Sequence, residues 1–258
     1  MPDSPHSAVV SQLRAAGCVF AEDEADLLLA AAATPAELES LVERRAAGLP
    51  LEHLLGWAEF HGLRVAVRPG VFVPRRRTGF LVDVAVALAP PDPVVLDLCC
   101  GSGALAAAFA AAVRPRELHA ADVEPAAVAC ARVNLPGAHV HEGDLYDALP
   151  PSLDGRVDVL MANVPYVPSD AVATMPPEAR LHEPRVALDG GTDGLDLARR
   201  VAAGAPRRLA PGGTLLVESS ERQAPLLGEI FTAAGLTPRI HDSGELGATV
   251  VIGTAPLT

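Results

Sequence analysis

The stretch Val94-Val95-Leu96-Asp97-Leu98-Cys99-Cys100-Gly101-Ser102-Gly103-Ala104-Leu105 constrains this chain more than any other. Val94 to Leu98 is an almost unbroken apolar run, as expected for a strand buried on both faces of a parallel sheet. Gly101 and Gly103 permit a tight turn and close backbone approach by a ligand. Gly103 to Val113 is Ala-rich, with strong helix propensity. Strand, glycine turn and helix together build a nucleotide-binding corner, because the helix start presents free N–H groups and a partial positive charge.

The glycines alone do not say which nucleotide. Gly101-Ser102-Gly103-Ala104-Leu105-Ala106 also fits the loose dinucleotide pattern G-x-G-x-x-A, a weak signal by itself. Asp97, near the end of the strand, favours S-adenosylmethionine: a carboxylate there would repel a pyrophosphate and attract the ammonium of the methionine moiety.

At 258 residues, 50% hydrophobic and 20% charged, the chain can bury one full core plus a small extra domain. Its formal net charge of −12 opposes non-specific nucleic-acid binding, which depends on cations neutralising phosphates. All 20 basic residues are Arg; with so much Ala, Gly and Pro, this reads as a GC-rich coding bias. Cys18, Cys99, Cys100 and Cys130 show no C-x-x-C spacing, which argues against a disulfide framework or zinc knuckle. No signal-peptide pattern and no ~18-residue apolar span are present, so a cytoplasmic protein without membrane contact is expected.

The first 56 residues or so read as helical, with Thr34-Pro35-Ala36-Glu37 combining a capping box and an N-terminal proline. Trp57 to Val67 suggests a hairpin turning at His61-Gly62, and residues 1–70 are expected to form a small helical recognition domain ending in that hairpin. Residues 71–258 then form the larger domain, opening with Val71-Phe72-Val73-Pro74-Arg75-Arg76-Arg77-Thr78 and a helix over Phe80 to Leu88. The arginine run is either a solvated linker face or a loop over the cofactor or an anionic acceptor group.

A second strand, Glu117 to Ala121, ends at Asp122, about 20 residues past the glycine turn, where an acid can accept both hydroxyls of an adenosine ribose or simply cap the helix over Pro125 to Asn134. A third strand, Ala138 to His141, precedes Gly143-Asp144-Leu145, a natural place for Asp144 to meet the adenine amino group. His139 and His141 share a face of this strand without a third ligand nearby in sequence, so no metal site is expected. Arg156 to Ala162 is the fourth strand and ends at Asn163-Val164-Pro165-Tyr166. Tyr166 to Gly194 holds seven Pro or Gly residues and reads as a long functional loop. A helix over Asp193 to Leu209, a strand over Thr214 to Val217, a helix over Glu221 to Ala234 and strands over Thr237 to His241 and Ala248 to Ile252 complete one α/β domain.

In open α/β sheets ligands bind beyond the carboxyl ends of the central strands, so the tetrad sits beside the cofactor if the first and fourth strands are neighbours. The Asn163 amide oxygen and the Val164 carbonyl can both accept from one planar NH₂ group. Pro165 stiffens the turn and Tyr166 offers a stacking face. Positioning of a nitrogen lone pair for in-line attack on a methyl sulfonium then supplies most of the catalytic effect.

These residues resemble the protein N5-glutamine methyltransferases, which modify a Gln side chain in release factors or a ribosomal protein, and in particular an actinobacterial branch of that family. The resemblance spans nearly the full length: Leu51-Glu52-His53-Leu54-Leu55-Gly56, Phe60-His61-Gly62, Phe72-Val73-Pro74-Arg75 with Thr78, Leu96 to Ala106, Asp122 and the tetrad. It implies a class I S-adenosylmethionine-dependent fold, Rossmann-like, with a seven-stranded mostly parallel sheet behind a small N-terminal helical domain. It also implies that Gly101, Gly103, Asp122, Asp144 and Leu145 line the cofactor, helped by Phe72 and Asp97, and that Asn163, Val164, Pro165 and Tyr166 hold the acceptor.

Three departures stand out. Val164 replaces the first proline of the usual Asn-Pro-Pro-Tyr, which keeps the carbonyl but frees the backbone angle. Cys99-Cys100 replaces Gly-Thr, and Arg76-Arg77 replaces Pro-Glu. Cys100 is not expected to be a nucleophile, since nothing in the sequence supplies an activating base. These changes leave methyl transfer intact and open a second acceptor class: a small molecule of specialised metabolism bearing an amide, an indole or a cyclic dipeptide. Nucleic-acid adenine methylation uses a similar tetrad but is opposed by the net charge. The tetrad also speaks against a dehydrogenase and, being intact at Asn163 and Tyr166, against a catalytically silent binding partner.

Overall fold

A computed structural model describes residues 4–258; the first three residues of the expected helical stretch lie outside it. Ser4 caps α1 (Pro5–Ala15) by accepting the N–H of Ser7 at 3.2 Å. After α2 (Ala21–Ala31), Thr34 caps α3 (Pro35–Ala46), accepting from Glu37 N–H while the Glu37 carboxylate accepts from Ala33 N–H. The short α4 (Leu51–Leu55) stops at Gly56, whose φ of 79° is left-handed. These helices share a core built on Leu13, Leu28 and Val42, crossed by a buried ion pair in which Arg45 Nε donates to Glu24 Oε2 at 2.6 Å.

The hairpin of β1 (Trp57–Phe60) and β2 (Leu63–Ala66) turns at His61 and Gly62, both at positive φ, as two-residue hairpin turns require. Phe60 and Val65 are buried against α5 (Gly79–Leu88), so the hairpin packs into the core of the sheet region. The chain then alternates through β3 (Val94–Leu98), α6 (Ala104–Ala112), β4 (Glu117–Asp122), α7 (Pro125–Asn134), β5 (His139–Glu142) and β6 (Val157–Ala162). A long connection containing α8 (Pro177–His182) leads to α9 (Asp196–Arg208), β7 (Leu209–Ser219), α10 (Ala224–Ala233), β8 (Thr237–Ser243) and β9 (Ala248–Thr254).

The seven strands lie in the order β5-β4-β3-β6-β7-β9-β8, parallel except for β9, which is antiparallel to both its neighbours. Leu96, Leu98, Leu160 and Leu215 bury one face beneath α9 and α10, while Val95, Val159, Met161 and Leu216 bury the other beneath α5 and α6. That double burial is why these strands are continuously apolar. Several boundaries differ from expectation by a few residues, two of them for identifiable local reasons. β7 starts at Leu209 because Val157 pairs Leu209 and Val159 pairs Thr214, leaving the Pro211-Gly212-Gly213 segment as an irregularity inside the strand. The α10 helix starts later, at Ala224, because Ser220 Oγ accepts the N–H of Gln223 in a preceding turn. Among the described residues no helix is long and apolar enough to cross a membrane.

Asp97 lies on the α6 face of β3 and is fully buried. Its Oδ2 accepts the N–H of Ala106 at 3.2 Å, its Oδ1 has no partner, and burial pushes its pKa up to about 8. A carboxyl raised above its unfolded value binds its proton more tightly in the folded chain, so its stabilising contribution is lost as pH rises from the ordinary carboxylate range through about 8. Asp97→Asn keeps an acceptor for Ala106 and cannot ionise. The difference in Tm, variant minus parent, should therefore grow from pH 5 to pH 8.5 in differential scanning fluorimetry; a difference independent of pH would show that Asp97 does not titrate in this window.

Candidate active site

The chain order reverses between β3 and β6, and a cavity of about 330 Å³ opens beyond their carboxyl ends. Its walls are the Cys99–Leu105 corner, the ends of β4 and β5, the tetrad after β6, the linker from Phe72 to Thr78, and a roof from Pro184 to Leu188. This volume is within the ordinary range for small-molecule sites.

The two glycines of the corner serve different purposes. A Cβ on Gly103 (φ 79°) would stand 2.9 Å from Leu135 Cδ1 and 3.3 Å from the Ala131 Cα, so this position keeps α7 tight against α6. A Cβ on Gly101 (φ 54°) would meet nothing, and the turn is open toward the cavity there. Cys99 takes the same left-handed conformation (φ 54°) without being glycine, a local strain the sequence does not announce. Burial pushes the thiols of Cys99 and Cys100 up, away from the thiolate that a nucleophile needs.

Asp122 lines the cavity at the end of β4. Its Oδ2 accepts Gly101 N–H at 2.8 Å and its Oδ1 accepts Glu124 N–H at 2.9 Å, which fixes the carboxylate and leaves a lone pair on each oxygen. Burial raises its pKa, and the backbone N–H groups oppose that shift. Asp144 and Leu145 also line the cavity; Asp144 is half-exposed and accepts from Arg200 Nη2 at 2.7 Å. Phe72 lines the wall with the Arg75 guanidinium 4.7 Å above its ring. Asp97 does not line the cavity in this structure: it is fully buried on the α6 face of β3, where its Oδ2 accepts the N–H of Ala106.

The tetrad stands on the neighbouring strand. Among the described residues neither the Asn163 carboxamide nor the Val164 carbonyl has a hydrogen-bond partner, although Val164 itself is buried. The backbone behind them is held firmly. Gln223 Nε2 donates to the carbonyls of Tyr166 and Asp193, each at 3.0 Å. A Cβ on Gly190 would lie 2.7 Å from Pro165 O, and one on Gly194 would collide with Tyr166 O, so the Gly-rich segment 190–194 is glycine because the tetrad backbone runs against it.

The Tyr166 hydroxyl is occupied within the protein. It accepts from Arg77 Nη2 and approaches Glu218 Oε1 at 3.4 Å, while Arg77 Nε donates to the same Oε1 at 3.2 Å. The Glu218 side chain is only 4% exposed. The arginine run thus divides its work: Arg75 pairs with both oxygens of buried Glu183 at 2.7 and 2.6 Å, Arg77 joins Tyr166 and Glu218, and Arg76 is exposed. Glu218, Glu183, Gln223 and Arg200 were not legible as site residues. Glu218 did carry a signal, an acid closing an apolar strand as Asp122 does. A third histidine, His119, joins the pair on β5, with its Nδ1 3.1 Å from His141 Nε2; this cluster lies outside the cavity.

A family model described as a methyltransferase domain matches residues 95–182. The release factor glutamine methyltransferase of Streptomyces coelicolor is 41% identical over 74% of this chain and 70% of its own length, and that of Geobacter sulfurreducens 40% identical over 84% and 77%. A 4-amino-L-phenylalanine/4-methylamino-L-phenylalanine methyltransferase of Streptomyces pristinaespiralis is 35% identical over 86% of this chain and 78% of its own. Among solved structures, a methyltransferase from Pyrococcus furiosus superposes with a TM-score of 0.57 over 76% of this chain and 90% of that one, at 16% identity, a likeness of fold. With the glycine corner, the strand order and the tetrad in place, the chain belongs to the family of the release factor glutamine methyltransferases, S-adenosylmethionine-dependent enzymes of the class I fold.

Proposed function

We propose that this enzyme methylates the side-chain amide nitrogen of a glutamine presented by a protein acceptor. The observation that carries this reading is the pair of unsatisfied acceptors, Asn163 Oδ1 and Val164 O, at the cavity wall next to the glycine corner. Both oxygens are free to accept from a ligand, and two carbonyl oxygens on adjacent residues suit the two N–H bonds of one planar amide. Held this way, the amide nitrogen keeps its lone pair normal to the amide plane and free for attack. Tyr166, fixed at its hydroxyl end, offers its ring to the amide plane.

The corner fits S-adenosylmethionine on its own chemistry. Gly101 leaves room for close approach, Asp122 has lone pairs available for two ribose hydroxyls, and Asp144 with Leu145 suits an adenine edge. When bound, that cofactor supplies a methyl group on a sulfonium, which departs as a neutral thioether. The chain's part is to align the nitrogen with that methyl and exclude competing water; the surplus amide proton leaves to solvent. On this reading α1 to α4 and the β1–β2 hairpin form the unit that grips the partner. The relatives named for release factors support a protein acceptor. A second reading, a small molecule with a planar amine or amide, is supported by the relative named for 4-amino-L-phenylalanine and by the roof from Pro184 to Leu188 over the cavity.

Two variants separate cofactor from acceptor. Asp122→Ala, checked for folding by circular dichroism, should weaken S-adenosylhomocysteine in calorimetry by at least about tenfold, since hydrogen bonds to a charged group contribute roughly 1.5–3 kcal/mol. Unchanged affinity would remove Asp122 from the ribose. Asn163→Ala should bind S-adenosylhomocysteine nearly as the parent does while transfer of tritiated methyl to purified release factor falls by roughly 10²-fold or more. If the parent labels no release factor or ribosomal protein but labels a small metabolite, the second reading replaces the first.

A further inference from the structure

We propose that Arg77 recognises a carboxylate on the methyl acceptor, and that buried Glu218 and Tyr166 act as its positioning residues. This rests on the reading above in one respect: the acceptor nitrogen is taken to sit on Asn163 and Val164.

The argument begins with how the guanidinium is held. Nε donates to Glu218 Oε1 and Nη2 to the Tyr166 hydroxyl, so one edge of the fork is spent on the protein. Glu218 is 4% exposed, its Oε2 has no partner, and Arg77 is its one cationic neighbour among the described residues. A buried carboxylate demands such a partner, so the arginine is anchored from beneath. Of the five N–H donors of a guanidinium, those on Nη1 and the second on Nη2 have no partner among the described residues. The side chain lines the cavity and is 48% exposed, so this free edge meets solvent and any bound acceptor.

The other arginines on the cavity wall are committed differently. Arg75 is held by both oxygens of Glu183 and stacks over Phe72. Arg200 pairs with Asp144, which follows β5, three strands across the sheet from the tetrad. Arg77 is the one that touches the tetrad itself, through Tyr166. A free, planar, two-toothed edge on the cavity that the tetrad also lines matches a carboxylate in geometry and charge, and partial burial strengthens that match. A glutamine flanked only by neutral groups leaves this edge unused. The acceptor therefore carries a carboxylate close to the methylated nitrogen, either the α-carboxylate of a free amino acid or an acidic side chain beside a glutamine in a polypeptide.

Three ligand pairs that differ only in one carboxylate test this by calorimetry on the full-length enzyme saturated with S-adenosylhomocysteine: N-acetyl-L-glutamine against its methyl ester, acetyl-Asp-Gln-Gly-amide against acetyl-Asn-Gln-Gly-amide, and 4-amino-L-phenylalanine against its methyl ester. In at least one pair the acid should bind at least about tenfold more tightly, and Arg77→Gln should abolish that preference. Because Arg77→Gln leaves Glu218 buried without a cation, the double variant Arg77→Gln with Glu218→Gln, neutral at both positions, should fold and show the same loss. A preference in the peptide pair identifies an acidic neighbour in a polypeptide; a preference in the first or third pair identifies an α-carboxylate. If only the arylamine pair discriminates, Arg77 keeps its role and the glutamine reading fails. Equal or absent binding within every pair, or a preference that survives in the double variant, overturns the role of Arg77 whether or not release factor is methylated.

Discussion

The parallel pairing of β3 with β6 is the contact on which the catalytic region depends. From β3 the chain proceeds outward through β4 and β5, then returns to lay β6 on the opposite side of β3. The connections that follow β3 and β6 thus depart in opposite directions and leave a crevice between them. The register, with Leu98 opposite Ala162, brings the glycine turn and the Asn163 tetrad out of the sheet at one level. A slip of one residue would turn every side chain of β6 to the other face, placing Leu160 and Ala162 where Val159 and Met161 now pack. The continuous apolar packing on both faces is therefore what aligns the two halves of the site.

Three acids at or near strand ends show how partners, rather than residue type, decide what a carboxyl does. Asp97 on β3 has one backbone N–H and an oxygen without any partner, and burial holds it toward the neutral form. Asp122 on β4 receives a backbone N–H on each oxygen and still borders the cavity. Glu218 on β7 is nearly as deep as Asp97 but has a guanidinium beside it. The first supports the start of α6, the second presents a fixed anion to the cavity, and the third anchors a cation.

Much of the fold was legible because its signals are local. Thr34 with Glu37, the apolar run at Val94, Pro125 opening a helix and the His61-Gly62 turn each report conformation within a few residues of themselves, and each appears where expected. The alternation of such units announces one α/β domain, and the family resemblance implied the seven-stranded, mostly parallel sheet that the structure has. What escaped depends on contacts between distant residues. Nothing near Arg77 announces Glu218, 141 positions away, and nothing near Asn163 announces that Gly190 and Gly194 must be bare to let the tetrad backbone pass. Asp97 is a separate case. Its spacing in the strand is compatible with a lining role, but strand alternation turns it toward α6, on the face away from Leu96 and Leu98.

The same long-range ion pairs explain why so polar a segment as the 71–77 linker can border a cavity at all. Glu183, in the roof connection, is almost fully buried and holds both the Arg75 guanidinium and the N–H of Val73, which ties roof to linker. Glu178 at the start of α8 reaches Arg45 of α3 at 2.7 Å, and Arg45 already carries the buried pair with Glu24. Roof, linker and helical region are thus joined through two arginines that are each shared between elements far apart in sequence. Each tie sets a nearly buried side chain against a partner that is 36% or 47% exposed, so solvent screens it more than the Arg45–Glu24 pair, whose two side chains are both buried, and the ties act by fixing where roof and linker lie more than by adding stability.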